Sequence, residues 1–172
     1  PYMPIDHESL QATVLTDLPV SYGEQDVMLY ALGIGLGSNP LDAGELSYVS
    51  ERAGLRTLPT MASMIIPDTI VAQSGVDMRQ ILHRSQSLEI FRPLPSSANL
   101  LLNQRVVSVS DRGAGGGAEI ELETELRLAR DDSVVCTAGS RVIARGDGGF
   151  GGPAPPVRSR HRMPNHEPDL VC

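Results

Sequence analysis

Cysteine is scarce: Cys136 and Cys172 are the only two. They lie far apart and form no CxxC, which excludes a disulfide framework or a cysteine zinc site. That pattern is consistent with a reducing, cytoplasmic location, and no metal is expected. No apolar run approaches the ~18–20 residues that span a bilayer. The N-terminus lacks the basic, then apolar, then small-residue order of a signal peptide. Met3, followed by Pro-Ile-Asp, reads as a native start, with Pro1 and Tyr2 as additions ahead of it. Basic charge is also in deficit, since 14 basic residues face 21 acidic ones and the net charge is −7. Binding to nucleic acid or to an anionic membrane through a general basic surface is therefore not expected.

What is present is an ordinary globular composition, 41% apolar and 20% charged over 172 residues. That length suits one domain with a real core. Residues 3–23 show little periodicity beyond the apolar stretch Ala12–Val20. From Glu24 to Leu36 the pattern is helical, with acidic groups in the first turn where they complement the helix dipole. Val27, Leu29, Tyr30, Leu32 and Ile34 make this helix apolar on nearly every side, which predicts burial. Gly33, Gly35 and Gly37 end it and would let its backbone approach a neighbouring sheet. Glu45–Arg52 reads as a second short helix, Thr60–Ile66 as a strand and Pro67–Gln80 as a connector.

The second half reads as strands: Gln86–Arg92, Asn99–Ser110, Ala118–Leu128 and Ser133–Arg145. The third is the clearest, because Ile120, Leu122, Leu126 and Leu128 alternate with Glu119, Glu121, Glu123, Glu125 and Arg127. Asp111 to Gly117 forms the hairpin before it. Composition then shifts: five glycines fall within Gly146–Gly152 and five prolines within Pro153–Cys172. The reading is a domain over residues 3–147 and a Gly/Pro-rich linker over 148–172. A buried helix followed by a one-faced antiparallel sheet predicts an α+β hot-dog fold, whose free face or edge needs a partner.

Gly33-x-Gly35-x-Gly37 is not a dinucleotide fingerprint. A helix rather than a strand precedes it, and Ser38 stands where the third glycine belongs. No Gly-Lys-Ser/Thr supports a phosphate loop either. Helix termination is the better reading.

Four motifs occur in a telling order: Tyr30-Ala-Leu-Gly-Ile-Gly, Leu58-Pro-Thr60, His83–Pro95 (HRSQSLEIFRPLP) and Gly148-Gly-Phe-Gly-Gly152. Together they resemble the N-terminal half of the MaoC-like, type 2 (R)-specific enoyl-CoA hydratases, which also occurs within peroxisomal multifunctional enzymes. The resemblance runs from Met3 to Val171, and Met163–Asp169 is similar to that family's inter-domain linker. It implies one half of a double hot-dog, a lyase of fatty acid β-oxidation acting on an acyl-CoA substrate, and no cofactor. It also implies a second hot-dog half or partner subunit, in an oligomer.

In that family the second half carries a Tyr-x-Leu-Ser-Gly-Asp-x-Asn-Pro-Leu-His segment, whose Asp and His activate a water for addition across the enoyl thioester. One group can hold the water while the other moves its proton. Tyr30, Leu32, Asn39, Pro40 and Leu41 keep the pattern here. Gly35 replaces the Asp, two extra residues precede Asn-Pro-Leu, and Asp42 replaces the His. By resemblance this chain has no catalytic pair, and Asp42 is expected to cap the next helix in a capping box with Glu45. The resemblance carries CoA contact to His83, Arg84 and Arg112. Arg84 departs from the usual Gly but adds a cation, and guanidinium groups suit phosphates. His7, His161 and His166 lack ligand or triad spacing and read as solvated. Two alternatives stay open: a stand-alone hot-dog thioesterase using Asp42 or Asp26, and a non-enzymatic acyl-CoA-binding module.

Overall fold

The computed structural model describes residues 5–157, together with Asn165 and Glu167. The possible additions Pro1 and Tyr2, the histidines His161 and His166, and most of the linker-like stretch lie outside the described residues.

Five antiparallel strands form one sheet in the order β1-β3-β4-β5-β2. They are β1 (Val14–Tyr22), β2 (Ile81–Ile90), β3 (Ala98–Asp111), β4 (Ala118–Leu128) and β5 (Val134–Ala144). Helices α1 (His7–Gln11), α2 (Glu24–Gly33), α3 (Ala43–Val49), α4 (Ala62–Ile65) and α5 (Thr69–Gln73), with short 3-10 turns, are the other elements among the described residues. None is long and apolar enough to cross a membrane.

The apolar face of β4 is realised as read, whereas Glu119, expected on the water face, is buried. Ile120, Leu122, Leu126 and Leu128 are buried, and Glu123 points to water. The apolar side chains of this face form two separate clusters. One gathers Ile120, Val109 and Val142 with Ile70 and Val71 of α5; the other gathers Leu102, Leu126 and Cys136 with Val27 of α2 and Ala62 of α4.

Five expectations are corrected. Thr60–Ile66 is helical, because Pro59 starts a 3-10 turn that runs into α4. Its preset φ suits the first turn of a helix, and Met and Ala favour the helical state. Residues 14–22 form an edge strand that the alternation missed. A bulge between Leu15 and Leu18 and the presence of Pro19 interrupt its pattern, and both are tolerated on a sheet edge.

Helix α2 is not buried all round. Only Val27 and Ala31 are enclosed, whereas Leu29 is 58% exposed and Leu32 and Ile34 are also open to solvent. The glycines after α2 approach no strand. A Cβ on Gly37 would come within 3.2 Å of Leu32 and of Val49 on α3, while Gly33 and Gly35 face open space.

Residues 146–153 contain no regular element, yet they are pinned to the sheet. Asp111 accepts from Gly149 N at 2.8 Å and from Gly151 N at 2.7 Å, and its own N–H donates to Pro153 O at 2.7 Å. Phe150 packs on the first cluster and stacks with His7 at 4.8 Å, so His7 is a ring contact and not a freely solvated side chain.

Candidate functional site

Between the two apolar clusters, a polar band crosses the covered face of the sheet. In register, Gln104 of β3 faces Thr124 of β4, which faces Ala138 of β5. In the next row Leu122 faces Ser140, which faces Gln86 of β2. Gln104 and Thr124 are both buried, and Gln104 Nε2 donates to Thr124 Oγ1 at 2.9 Å. His83 Nε2 lies 3.2 Å from Gln86 Oε1 and 3.4 Å from Ser140 Oγ. Over this band runs the segment from Ser63 to Asp68. It leaves a cavity of about 440 Å³ bounded by Met64, Ile66 and Pro67 above and the polar band below. That volume lies within the ~300–1,000 Å³ range of small-molecule sites.

The other face of the sheet carries a cluster of arginines. Register on β2 shifts between His83 and Ser85, leaving Arg84 as the extra residue of a bulge. Consecutive residues are thereby divided: His83 borders the cavity, while Arg84 reaches Glu119 Oε2 at 3.4 Å. Arg112, from the β3–β4 hairpin, donates to the same oxygen at 3.0 Å, and Arg141 lies 4.0 Å from Oε1. Glu119 is only 5% exposed. Three guanidinium groups thus surround one buried carboxylate, with Glu121 of β4 opposite Arg141 in register. Arginine forks are well matched to phosphate oxygens.

Of the residues singled out from the sequence, Arg84 and Arg112 come together and His83 stands on the opposite face. Arg141, Glu119 and the Gln104–Thr124 pair were not foreseen. Gln104 and Thr124 carry a usable signal, because each is a polar residue at an inward position of an otherwise apolar strand face. Arg141 and Glu119 are drawn together only by strand register.

The segment from Tyr30 to Glu45 is organised by capping. Gly35 adopts φ +98°, a left-handed conformation that suits glycine, and offers no side chain. The Asp42 carboxylate accepts from Gly44 N at 2.8 Å and Glu45 N at 3.2 Å, which makes it the N-cap of α3. Glu45 does not complete the expected capping box. Its carboxylate accepts instead from Gly37 N at 2.9 Å and Asn39 N at 3.4 Å, closing the glycine turn. Asp26, the other carboxylate available to a thioesterase, accepts from Gly23 N at 2.9 Å at the start of α2. Among the described residues no group of His, Cys, Asp and Glu is arranged to hold a metal.

Residues 20–146 match the family described as MFE-2 hydratase 2 N-terminal domain. The chain is 32% identical over 183 residues to the peroxisomal enoyl-CoA hydratase 2 of Arabidopsis thaliana, covering 95% of this chain and 58% of that protein. It therefore spans less than two thirds of that relative's length. Among solved structures, a MaoC-like dehydratase from Phytophthora capsici superposes with a TM-score of 0.71 at 24% identity, over 96% of this chain and 59% of that one. Full-length peroxisomal multifunctional enzyme type 2 from Drosophila melanogaster superposes with a TM-score of 0.66 at 28% identity, over 91% of this chain and 27% of that one. The sheet and its covering helices are the α+β hot-dog fold of these dehydratases, and the chain belongs to the MFE-2 hydratase 2 N-terminal domain family.

Proposed function

We propose that this chain is the acyl-CoA-binding, non-hydrating half of an (R)-specific 2-enoyl-CoA hydratase. The Asp/His pair that activates water would be supplied by a second hot-dog half, on the same polypeptide or on a partner subunit. The observation that carries this reading is the state of the segment from Tyr30 to Glu45. Gly35 has no side chain to offer, and Asp42 is committed to capping α3. The same bonding argues against a stand-alone thioesterase, since Asp42 and Asp26 both serve helix starts.

Two features support acyl-CoA binding. The cavity over β3, β4 and β5 offers space for the acyl chain, with His83 at its border. Arg84 and Arg112, held by Glu119, supply cations for the phosphates of CoA on the other face. The thioester would pass the β2 edge between the two faces, and CoA would be a substrate group with no further cofactor. A partner half is supported by exposed Leu29, Leu32 and Ile34, which leave one side of α2 apolar and open.

The test is hydration of a trans-2-enoyl-CoA by the purified chain, alone and mixed with the catalytic half of a family member. No turnover alone and turnover in the mixture is the expected result. Turnover by the chain alone, abolished by Asp42→Ala, would overturn the reading.

A further inference from the structure

The acyl-CoA reading leaves one property of the cavity unexplained: its floor is polar where an alkyl chain would want carbon. Resting on that reading, we propose that the cavity selects an acyl chain bearing a hydroxyl group, in preference to a plain alkyl chain. The Gln104 side chain is 4% exposed and has only one of its two amide ends engaged. Nε2 donates to Thr124 Oγ1, whereas Oε1 is buried with no partner among the described residues. Burying a polar atom without a partner is destabilising, and a ligand that supplies the missing bond recovers that loss.

A hydroxyl group is the chemistry that fits. As the side chain stands Oε1 has no accessible surface, so the amide turns toward the cavity for a ligand hydroxyl to donate to Oε1. If the amide is reversed, the hydroxyl accepts from the NH₂ group, because a hydroxyl both donates and accepts. The terminal torsion of glutamine is broad, so the amide can turn toward the cavity without leaving its rotamer. Ser140, Gln86 and His83 continue the polar lining away from Gln104 and can take up a second oxygen. The band divides two apolar clusters, so carbon on either side of the hydroxyl has apolar surface beside it. An all-carbon chain laid on the same path leaves Gln104 Oε1 without a partner. A site built to hydrogen-bond a hydroxyl discriminates strongly against the analogue that lacks one.

The experiment measures binding of three kinds of ligand to the protein by calorimetry: CoA, dodecanoyl-CoA, and dodecanoyl-CoA thioesters carrying one hydroxyl placed from mid-chain to terminus. At least one hydroxylated thioester should bind about 10-fold or more tightly than dodecanoyl-CoA, a discrimination of the size a single buried hydrogen bond provides. Gln104→Leu should abolish that preference and tighten dodecanoyl-CoA, and Thr124→Val should weaken the preference in the same direction. Equal or tighter binding of dodecanoyl-CoA than of every hydroxylated thioester would overturn the inference and leave the acyl-CoA reading standing. The inference also falls if the preference is unchanged in both variants. If no thioester binds better than CoA itself, the acyl-chain site is wrong, and the inference falls with it.

Discussion

Arg84 and Arg112 converge on one oxygen, Glu119 Oε2, at 3.4 and 3.0 Å, although one sits in a strand bulge and the other in a hairpin. Their planar groups are pre-oriented by a carboxylate they share with Arg141. On a protein of net charge −7, phosphate contacts made by these arginines should be weakened by salt. Charge-assisted contacts to a phosphate contribute about 1.5–3 kcal/mol when well formed. Arg84→Ala and Arg112→Ala should each weaken acyl-CoA binding by about 10-fold and flatten its salt dependence. Titration at low and high salt checks this. Unchanged affinity and salt slope in both variants would make these arginines surface residues with no part in CoA binding.

Glu119 organises that cluster. Its replacement by Gln keeps the shape and removes the charge, which leaves three guanidinium groups facing one another. Arg84 and Arg112 are partly exposed, so water relieves some of the repulsion. The expected loss is therefore about 1–2 kcal/mol, smaller than the cost of breaking a fully buried pair. Urea denaturation of Glu119→Gln reads this directly. A midpoint equal to that of the parent protein would show that solvent alone carries the arginines.

Cys136 lies on the covered face of β5 and has no exposed surface, and burial pushes its thiol up to about 11. The thiolate is the reactive form, so the folded protein should protect this residue. In a Cys172→Ser background at pH 8, labelling should track unfolding in urea, because opening of the second apolar cluster must come first. Fast labelling without denaturant would mean that this part of the core opens readily.

Legibility in the sequence followed local physics. Strand β4 could be bounded correctly because nine of its eleven positions alternate in character and no bulge interrupts the strand. The start of β2 was missed because its bulge at Arg84 breaks the alternation of Ile81, His83 and Gln86. The exposure of Leu29 was missed for a different reason. Apolar content around a helix predicts burial only when the covering surface belongs to the same chain. The capping role of Asp42 was readable from its place before α3, but the Glu119 cluster depends on register across three strands. No pattern along the chain reports that.

Asp42 gives a test that separates capping from chemistry. Its carboxylate accepts from Gly44 N and Glu45 N, and α3 has no other side-chain cap at that end. Asp42→Ala should cost about 1 kcal/mol, a usual figure for loss of an N-cap, while Asp42→Asn should retain most of the stability. In a preparation assembled with a catalytic half, Asp42→Asn should leave the hydration rate unchanged. A fall of 100-fold or more in that rate with unchanged stability would mark Asp42 as a proton-transfer group, since general acid–base groups contribute about 10²–10⁴-fold.

Asp111 provides a pH test of how the segment after β5 is held. The Gly149 N–H is the main cause of its lowered pKa, aided by Gly113 and Gly151, so the carboxyl sits below the usual carboxylate range. The sign follows from proton linkage. A depressed folded-state pKa contributes stability that is fully present above the unfolded value of about 4 and is lost as pH falls through the folded value. The attachment of residues 149–151 should therefore hold at neutral pH and loosen only on acidification below about pH 4. Amide resonances of Gly149 and Gly151, followed by NMR from pH 7 downward, should shift together with a single midpoint below that of an ordinary aspartate. Asp111→Ala should show the low-pH positions already at pH 7, with the Phe150–His7 ring contact weakened in the same spectra. Independent titration of the two glycines, or unchanged positions in Asp111→Ala, would mean that Phe150 packing alone fixes the segment.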